Sequence, residues 1–154
     1  MTGDMYPRSG QLIVIDASVA VKAILPNPLQ AHCLALVQTF AEMQPAAPAL
    51  WAYETTSAIA KAVHFSEITE HEARQALDKL DALEVRLFVA DAVQNRAAFD
   101  WTLRLKRASA YDSYYLALAQ ALECEFWTAD KRLFNALTDA RLNWLHSIEE
   151  MSLT

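Results

Sequence analysis

Glycine is almost missing from this chain: its 154 residues hold 2 Gly and 5 Pro. A sequence so poor in both, without repeats and with 54% hydrophobic residues rich in alanine and leucine, is not disordered or repeat-built and reads as helix-heavy and globular. Cysteine is scarce too. Cys33 and Cys124 stand in apolar runs with no C-x-x-C spacing, so they read as reduced core residues and not as a disulfide framework. The histidines, His32, His64, His71 and His146, are scattered without a metal-ligand spacing. Positive charge is in deficit, 13 Lys and Arg against 19 Asp and Glu, a net −6. Such a molecule repels polyanions and lacks the basic footprint of a static nucleic-acid binder. Any nucleic-acid chemistry must be local, drawing on Arg104, Lys106, Arg107, Lys131 and Arg132. Long apolar runs are also lacking. The stretch from Leu12 to Leu25 is broken by Asp16 and Lys22, has no cationic leader and is too short to span a bilayer. The expectation is a non-exported, cytoplasmic protein that does not enter a membrane.

What is present suits one core, since a chain of this length buries about two thirds of its unfolded surface. Residues 1–10 read as a flexible lead-in and 11–154 as a single domain. Residues 11–16 form a β-branched run, the pattern of a strand covered on both faces and ending in Asp16. Helices are expected over 18–25 and over 29–43, the second with Leu34, Val37 and Ala41 on one face. Residues 44–48, which include Pro45 and Pro48, read as a connection or a very short strand before a helix over 50–64. Thr69 and Glu72 make a capping box for a helix to about 83, with Ala73, Ala76, Leu77 and Leu80 inward. A strand over 85–89 and an amphipathic helix over 92–106 follow, the helix capped by Asp91 and carrying Val93, Ala97, Trp101 and Leu105. Then come a capped helix, a buried strand, a helix over 131–140, a last strand over 142–146 and a tail. Strands alternating with helices and no two-residue hairpins indicate an α/β fold with a mostly parallel sheet, whose ligand site lies beyond the carboxyl ends of the strands.

Four acids stand apart from the solvated charges. Asp112 is the only charge between Ala108 and Ala121, among Tyr111, Tyr114, Tyr115, Leu116 and Leu118. An unpaired carboxylate buried there would cost several kcal/mol or take up a proton, so a distant basic side chain, a helix N-terminus or a metal ion must compensate it. Ser109 and Asp112 also fit a capping box, and Thr128 or Asp130 can cap the next helix. Glu54 is the only charge between Ala46 and Ala60 and lies well inside a helix, where it is either a half-exposed residue with a basic partner or part of a site. Asp16 and Asp130 fall at or just beyond two strand ends.

Taken as one constellation, Asp16, Glu54, Asp112 and Asp130 would repel one another unless a cation lies between them. Hard oxygen ligands without His or Cys select Mg²⁺, with Mn²⁺ as a substitute. Such an ion can activate a bound water, orient it towards a phosphodiester and stabilise the leaving oxygen. That is metal-assisted phosphodiester hydrolysis.

Residues 14–22, 47–54, 109–119 and 127–133, which carry these acids in order, resemble the PIN-domain ribonucleases and, within them, the VapC-like toxins of bacterial and archaeal toxin–antitoxin pairs. The resemblance implies a PIN-like three-layer α/β/α fold and an Mg²⁺-dependent endoribonuclease whose substrate is RNA. It assigns Asp16 and Asp112 as metal ligands, Glu54 as ligand or as the base orienting the attacking water, and Asp130 as acting through a metal-bound water or a second ion. Ser18 and Thr128 match hydroxyls that orient those acids. It further implies a cognate VapB-like antitoxin and a homodimer. Trp127, where the family has a small aliphatic residue, and the long lead-in depart from the pattern without touching the acids.

Three other readings have their own markers. A stand-alone RNA-processing nuclease would lack an adjacent antitoxin reading frame. A non-catalytic Mg²⁺-binding module of the phosphate-receiving kind would need a lysine at the end of a late strand, where this chain has Thr128, Ala129 and Asp130. An aspartate-nucleophile phosphatase would need a second acid at position 18, which is serine.

Overall fold

The computed structural model describes residues 11–153, so the lead-in expected over residues 1–10 lies outside the described residues. Five strands, β1 (Leu12–Ile15), β2 (Gln44–Pro48), β3 (Arg86–Phe88), β4 (Glu125–Thr128) and β5 (Leu145–Ser147), form one sheet in the order β3-β2-β1-β4-β5. Every neighbouring pair is parallel. Parallel neighbours need crossovers, supplied here by α1 (Ala17–Ile24), α2 (Gln30–Gln38), α3 (Leu50–His64), α4 (Glu70–Ala82), α5 (Ala92–Arg104), α6 (Tyr111–Leu122) and α7 (Lys131–Leu137). The result is the expected α/β/α sandwich, its sheet parallel throughout. Among the described residues no helix is long and apolar enough to cross a membrane.

Side-chain alternation along β1 explains the layers. Ile13 and Ile15 pack with Val19 and Ala23 of α1 and Cys33 and Leu36 of α2. Val14, on the opposite face, packs with Phe126 of β4 and with Tyr115, Leu116 and Leu118 of α6. Residues 44–48 are a true strand despite Pro45 and Pro48, which fall at its second and last positions and leave Ala46 and Ala47 between them. The sheet grows from β1 in both directions, to β2 on one side and β4 on the other. A crevice therefore opens beyond the carboxyl ends of β1 and β4, where open parallel sheets bind their ligands.

Local signals were accurate where a side chain acts on its own backbone. Thr69 and Glu72 form the reciprocal capping box, and Asp91 and Asp130 cap α5 and α7. Because Gly3 and Gly10, the only glycines, precede the described residues, left-handed backbone falls to Ser66, Glu84, Lys106, Glu123 and Arg141.

Tertiary packing overruled several other expectations. On α2 the buried side chains are Cys33 and Leu36, while Leu34 faces solvent, because the helix meets α1 and not the sheet alone; Ala41, in the single turn after the helix, is exposed as well. On α5 the buried residues are Ala98 and Trp101, and Val93 is 75% exposed. The last strand starts at Leu145; just before it the Trp144 carbonyl accepts from the Phe126 amide at 2.8 Å, and its ring packs edge-on against Trp101 with centroids 6.2 Å apart. The expected tail opens as a capped single turn, Ile148–Glu150, with Ile148 wholly buried.

Candidate active site

Asp16 sits at the switch in strand order. It is the N-cap of α1, accepting from the Val19 amide at 3.2 Å, and is only 6% exposed. The Ser18 hydroxyl donates to its Oδ1 and the Thr128 hydroxyl to its Oδ2. Both hydroxyls also accept backbone amides from the chain leaving β4, Ser18 from Ala129 at 3.1 Å and Thr128 from Asp130 at 2.9 Å. The two strand ends are thus stitched together through one carboxylate. Burial still outweighs these donors, and Asp16 is pushed up to about 6, the nearby Asp130 adding to the rise.

Asp130 caps α7, its Oδ1 accepting from the amides of Arg132 at 2.9 Å and Leu133 at 3.2 Å. Glu54 reaches over from α3, where its Oε1 accepts a 2.6 Å hydrogen bond from the Tyr115 hydroxyl of α6. Burial raises Glu54 above the ordinary carboxylate range, and Asp112 raises it further against the Tyr115 bond. Asp112, at the second position of α6, is likewise raised by burial and by Asp130. Fields therefore run from Glu54 to Asp112, from Asp112 to Asp130 and from Asp130 to Asp16. The structure brings the four acids into one electrostatic neighbourhood. It does not close them into a coordination sphere: among the described residues no three His, Cys, Asp or Glu side chains form a group that could hold a metal ion. Each carboxylate is instead engaged by donors of the protein.

The compensating charge for Asp112 is Arg107, whose Nη1 lies 3.2 Å from Oδ2 in a pair about one third exposed on each side. This corrects the expected Ser109 capping box. The N-cap of α6 is Ala110, without a side-chain bond. The reason lies in how α5 ends: Lys106 takes φ 53, and the Arg107 amide bonds back to the Thr102 carbonyl at 3.2 Å. That turn delivers the guanidinium to Asp112. Tyr115 was the other partner not foreseen, although its position three residues after Asp112 puts both on one face of α6. It is 1% exposed and stacks on Phe126, whereas Tyr114 donates to Asn95 and Tyr111 is left exposed. Lys22 is fixed by a 3.4 Å bond to the Ala129 carbonyl.

The donor chemistry fits a hard divalent cation. The acids offer only oxygen, and three of them are held above the normal range by burial and mutual repulsion, which a cation among them would reverse. The hydroxyls of Ser18 and Thr128 fix the Asp16 carboxylate by both oxygens, as oriented ligands require.

A family model described as PIN domain matches residues 14–147. Ribonuclease VapC9 of Mycobacterium tuberculosis is 34% identical over 122 residues, covering 79% of this chain and 88% of that protein. Two solved structures share the fold. PAE2754 from Pyrobaculum aerophilum aligns with a TM-score of 0.65 at 16% identity, over 97% of this chain and 93% of that one. VapBC2 from Rickettsia felis, bound to a DNA fragment from their promoter, aligns with a TM-score of 0.62 at 13% identity, over 89% of this chain and 97% of that one. With Asp16 and Asp130 just beyond the ends of β1 and β4, a matching family model over most of its length and a relative at one third identity, the chain belongs to the PIN domain family and, within it, to the VapC-like ribonucleases.

Proposed function

We propose that this protein is a divalent-metal-dependent endoribonuclease, residues 11–154 acting as one nuclease domain behind residues 1–10, and that it is the toxin of a VapBC-like pair in the cytoplasm. The observation that carries the reading is Asp16, buried at the switch in strand order and held by two hydroxyls within the field of Asp130. Asp16 and Asp112 would hold the ion directly, and Asp130 would hold it through water. Mg²⁺ suits this oxygen-only set, with Mn²⁺ able to replace it. When bound, the ion supplies an activated water and charge stabilisation at the scissile phosphate.

The protein's own groups do the rest. Tyr115 holds Glu54 by Oε1, which leaves Oε2 to orient a water and take its proton. A carboxyl held above its normal range is matched to that task near neutral pH. Ser18 and Thr128 keep Asp16 from rotating, and Arg107 neutralises Asp112 until the carboxylate is needed. A VapB-like antitoxin as partner is supported by relatives named VapC ribonucleases and a fold neighbour named VapBC2. Exposed Phe99 and Leu103, one turn apart on α5, favour a homodimer.

Purified Asp16→Asn and Asp112→Asn chains should lose RNA cleavage in Mg²⁺ while keeping the far-UV circular dichroism of the parent. Near-parental, metal-dependent cleavage by either would overturn the assignment. Expression without a partner should arrest growth; unhindered growth with intact protein accumulating would move the reading to an RNA-processing nuclease.

A further inference from the structure

A cleft of about 350 Å³ opens beside the acids and shares Ser18 and Asp130 with them. Its charged lining is uneven. Lys22 of α1 and Lys131 and Arg132 of α7 face only Asp130 and Glu149, in a chain whose net charge is −6. Asp130 is already committed to the amides of Arg132 and Leu133. Among the described residues none of the three cations has a carboxylate within ion-pair distance; Arg74 and Arg107 form the arginine ion pairs instead. Lys22 is moreover tied to the Ala129 carbonyl, so its ammonium is held at the loop that carries Asp130. Leu29 and Ile148 give the cleft an apolar part. The volume lies at the small end of the roughly 300–1,000 Å³ range of ligand sites, room for one nucleotide.

We propose that this cleft is a nucleotide subsite for the RNA strand next to the bond being cut. Lys22, Lys131 and Arg132 take the phosphate, and the apolar part takes a sugar–base face. The inference rests on the nuclease reading and adds the direction in which the strand leaves the acids. An acidic overall charge is then tolerated because three cations without ion-pair partners line the place where the backbone must pass.

The test is fluorescence anisotropy of fluorescein-labelled oligouridylate bound to the full chain in EDTA, read against potassium chloride concentration. The variants are Lys22→Met with Arg132→Met, and the charge-keeping pair Lys22→Arg with Arg132→Lys. The methionine pair should weaken binding at low salt about tenfold and flatten the salt dependence by about 0.7 in log–log slope for each phosphate no longer neutralised. The charge-keeping pair should restore most of both. Unchanged affinity and slope, no binding by the parent chain, or a loss that tracks a lowered unfolding midpoint and is not restored would each overturn the subsite. So would variants that bind oligouridylate normally but lose affinity for an oligoglutamate peptide, which would reassign the cleft to a protein partner. Cleavage assays separate the two readings. Parent cleavage with no variant effect on binding removes only the subsite, whereas variant-sensitive binding without any cleavage removes only the nuclease.

Discussion

Replacing Asp16 by asparagine should make the metal-free protein more stable at neutral pH. Burial raises this carboxyl from 3.8 to about 6, at a position 6% exposed. At about 1.4 kcal/mol per pH unit, keeping it charged in the folded state costs about 3 kcal/mol. Asparagine removes the charge but sets an amide NH2 against one of the hydroxyls that donate to the carboxylate, Ser18 or Thr128, which must turn its hydrogen away, a loss of about 1 kcal/mol at any pH. The net gain is about 2 kcal/mol, which for a domain of this size raises the melting midpoint by about 4–8 °C. The sign depends on pH. An acid whose folded value is raised carries no penalty below its unfolded value; the penalty grows in between 3.8 and about 6 and is complete above that. The advantage of asparagine should therefore shrink as pH falls through this window and turn into a deficit of about 1 kcal/mol below it. Urea unfolding in EDTA, followed by the fluorescence of the 4 tryptophans, measures this directly, with the urea dependence unchanged as a control on compactness. An Asp16→Asn chain no more stable than the parent at neutral pH, or a gain that does not vary with pH, would refute the reasoning.

Mg²⁺ should stabilise the parent chain with the logarithm of its concentration and leave Asp16→Asn nearly unmoved, as thermal melts with and without EDTA will show. Arg107→Met should cost less than about 1 kcal/mol, since the pair is partly solvated. It should also tighten Mg²⁺ binding about fivefold by calorimetry, because the guanidinium no longer occupies Asp112. Tyr115→Phe removes the donor that lowers Glu54, so the acid limb of the cleavage pH profile should move to higher pH, while thermal melts show the fold retained. Glu123→Gly, at the left-handed end of α6 with φ 51, should stabilise the protein by about 1 kcal/mol in urea.

Much of the fold was legible because its signals are local. A β-branched run made β1, the helix over 50–64 matched α3 end to end, and Thr69, Asp91 and Asp130 cap the helices they precede. Inward faces were less legible. Leu34 and Val93 are as apolar as the residues that are buried, and only the neighbours of α2 and α5 decide which stripe they cover. The same holds at the site. Glu54 and Asp112 could be picked out as charges isolated in apolar stretches, and Asp16 and Asp130 by their place at strand ends, but not the groups that answer them. Arg107 stands five residues before Asp112 and meets it only because α5 ends in a left-handed turn at Lys106. Tyr115 meets Glu54 across a separation of 61 residues.

What the amino-acid order determined by itself is therefore the succession of elements and the choice of the four acids proposed for the site, since propensity, caps and strand ends act within a few residues. Tertiary structure alone decided that β1 and β4 are neighbours. From that pairing follow the hydroxyl clamp on Asp16, its raised proton affinity and the basic cleft beyond Asp130, because burial and electrostatic fields depend on distances through space and not along the chain.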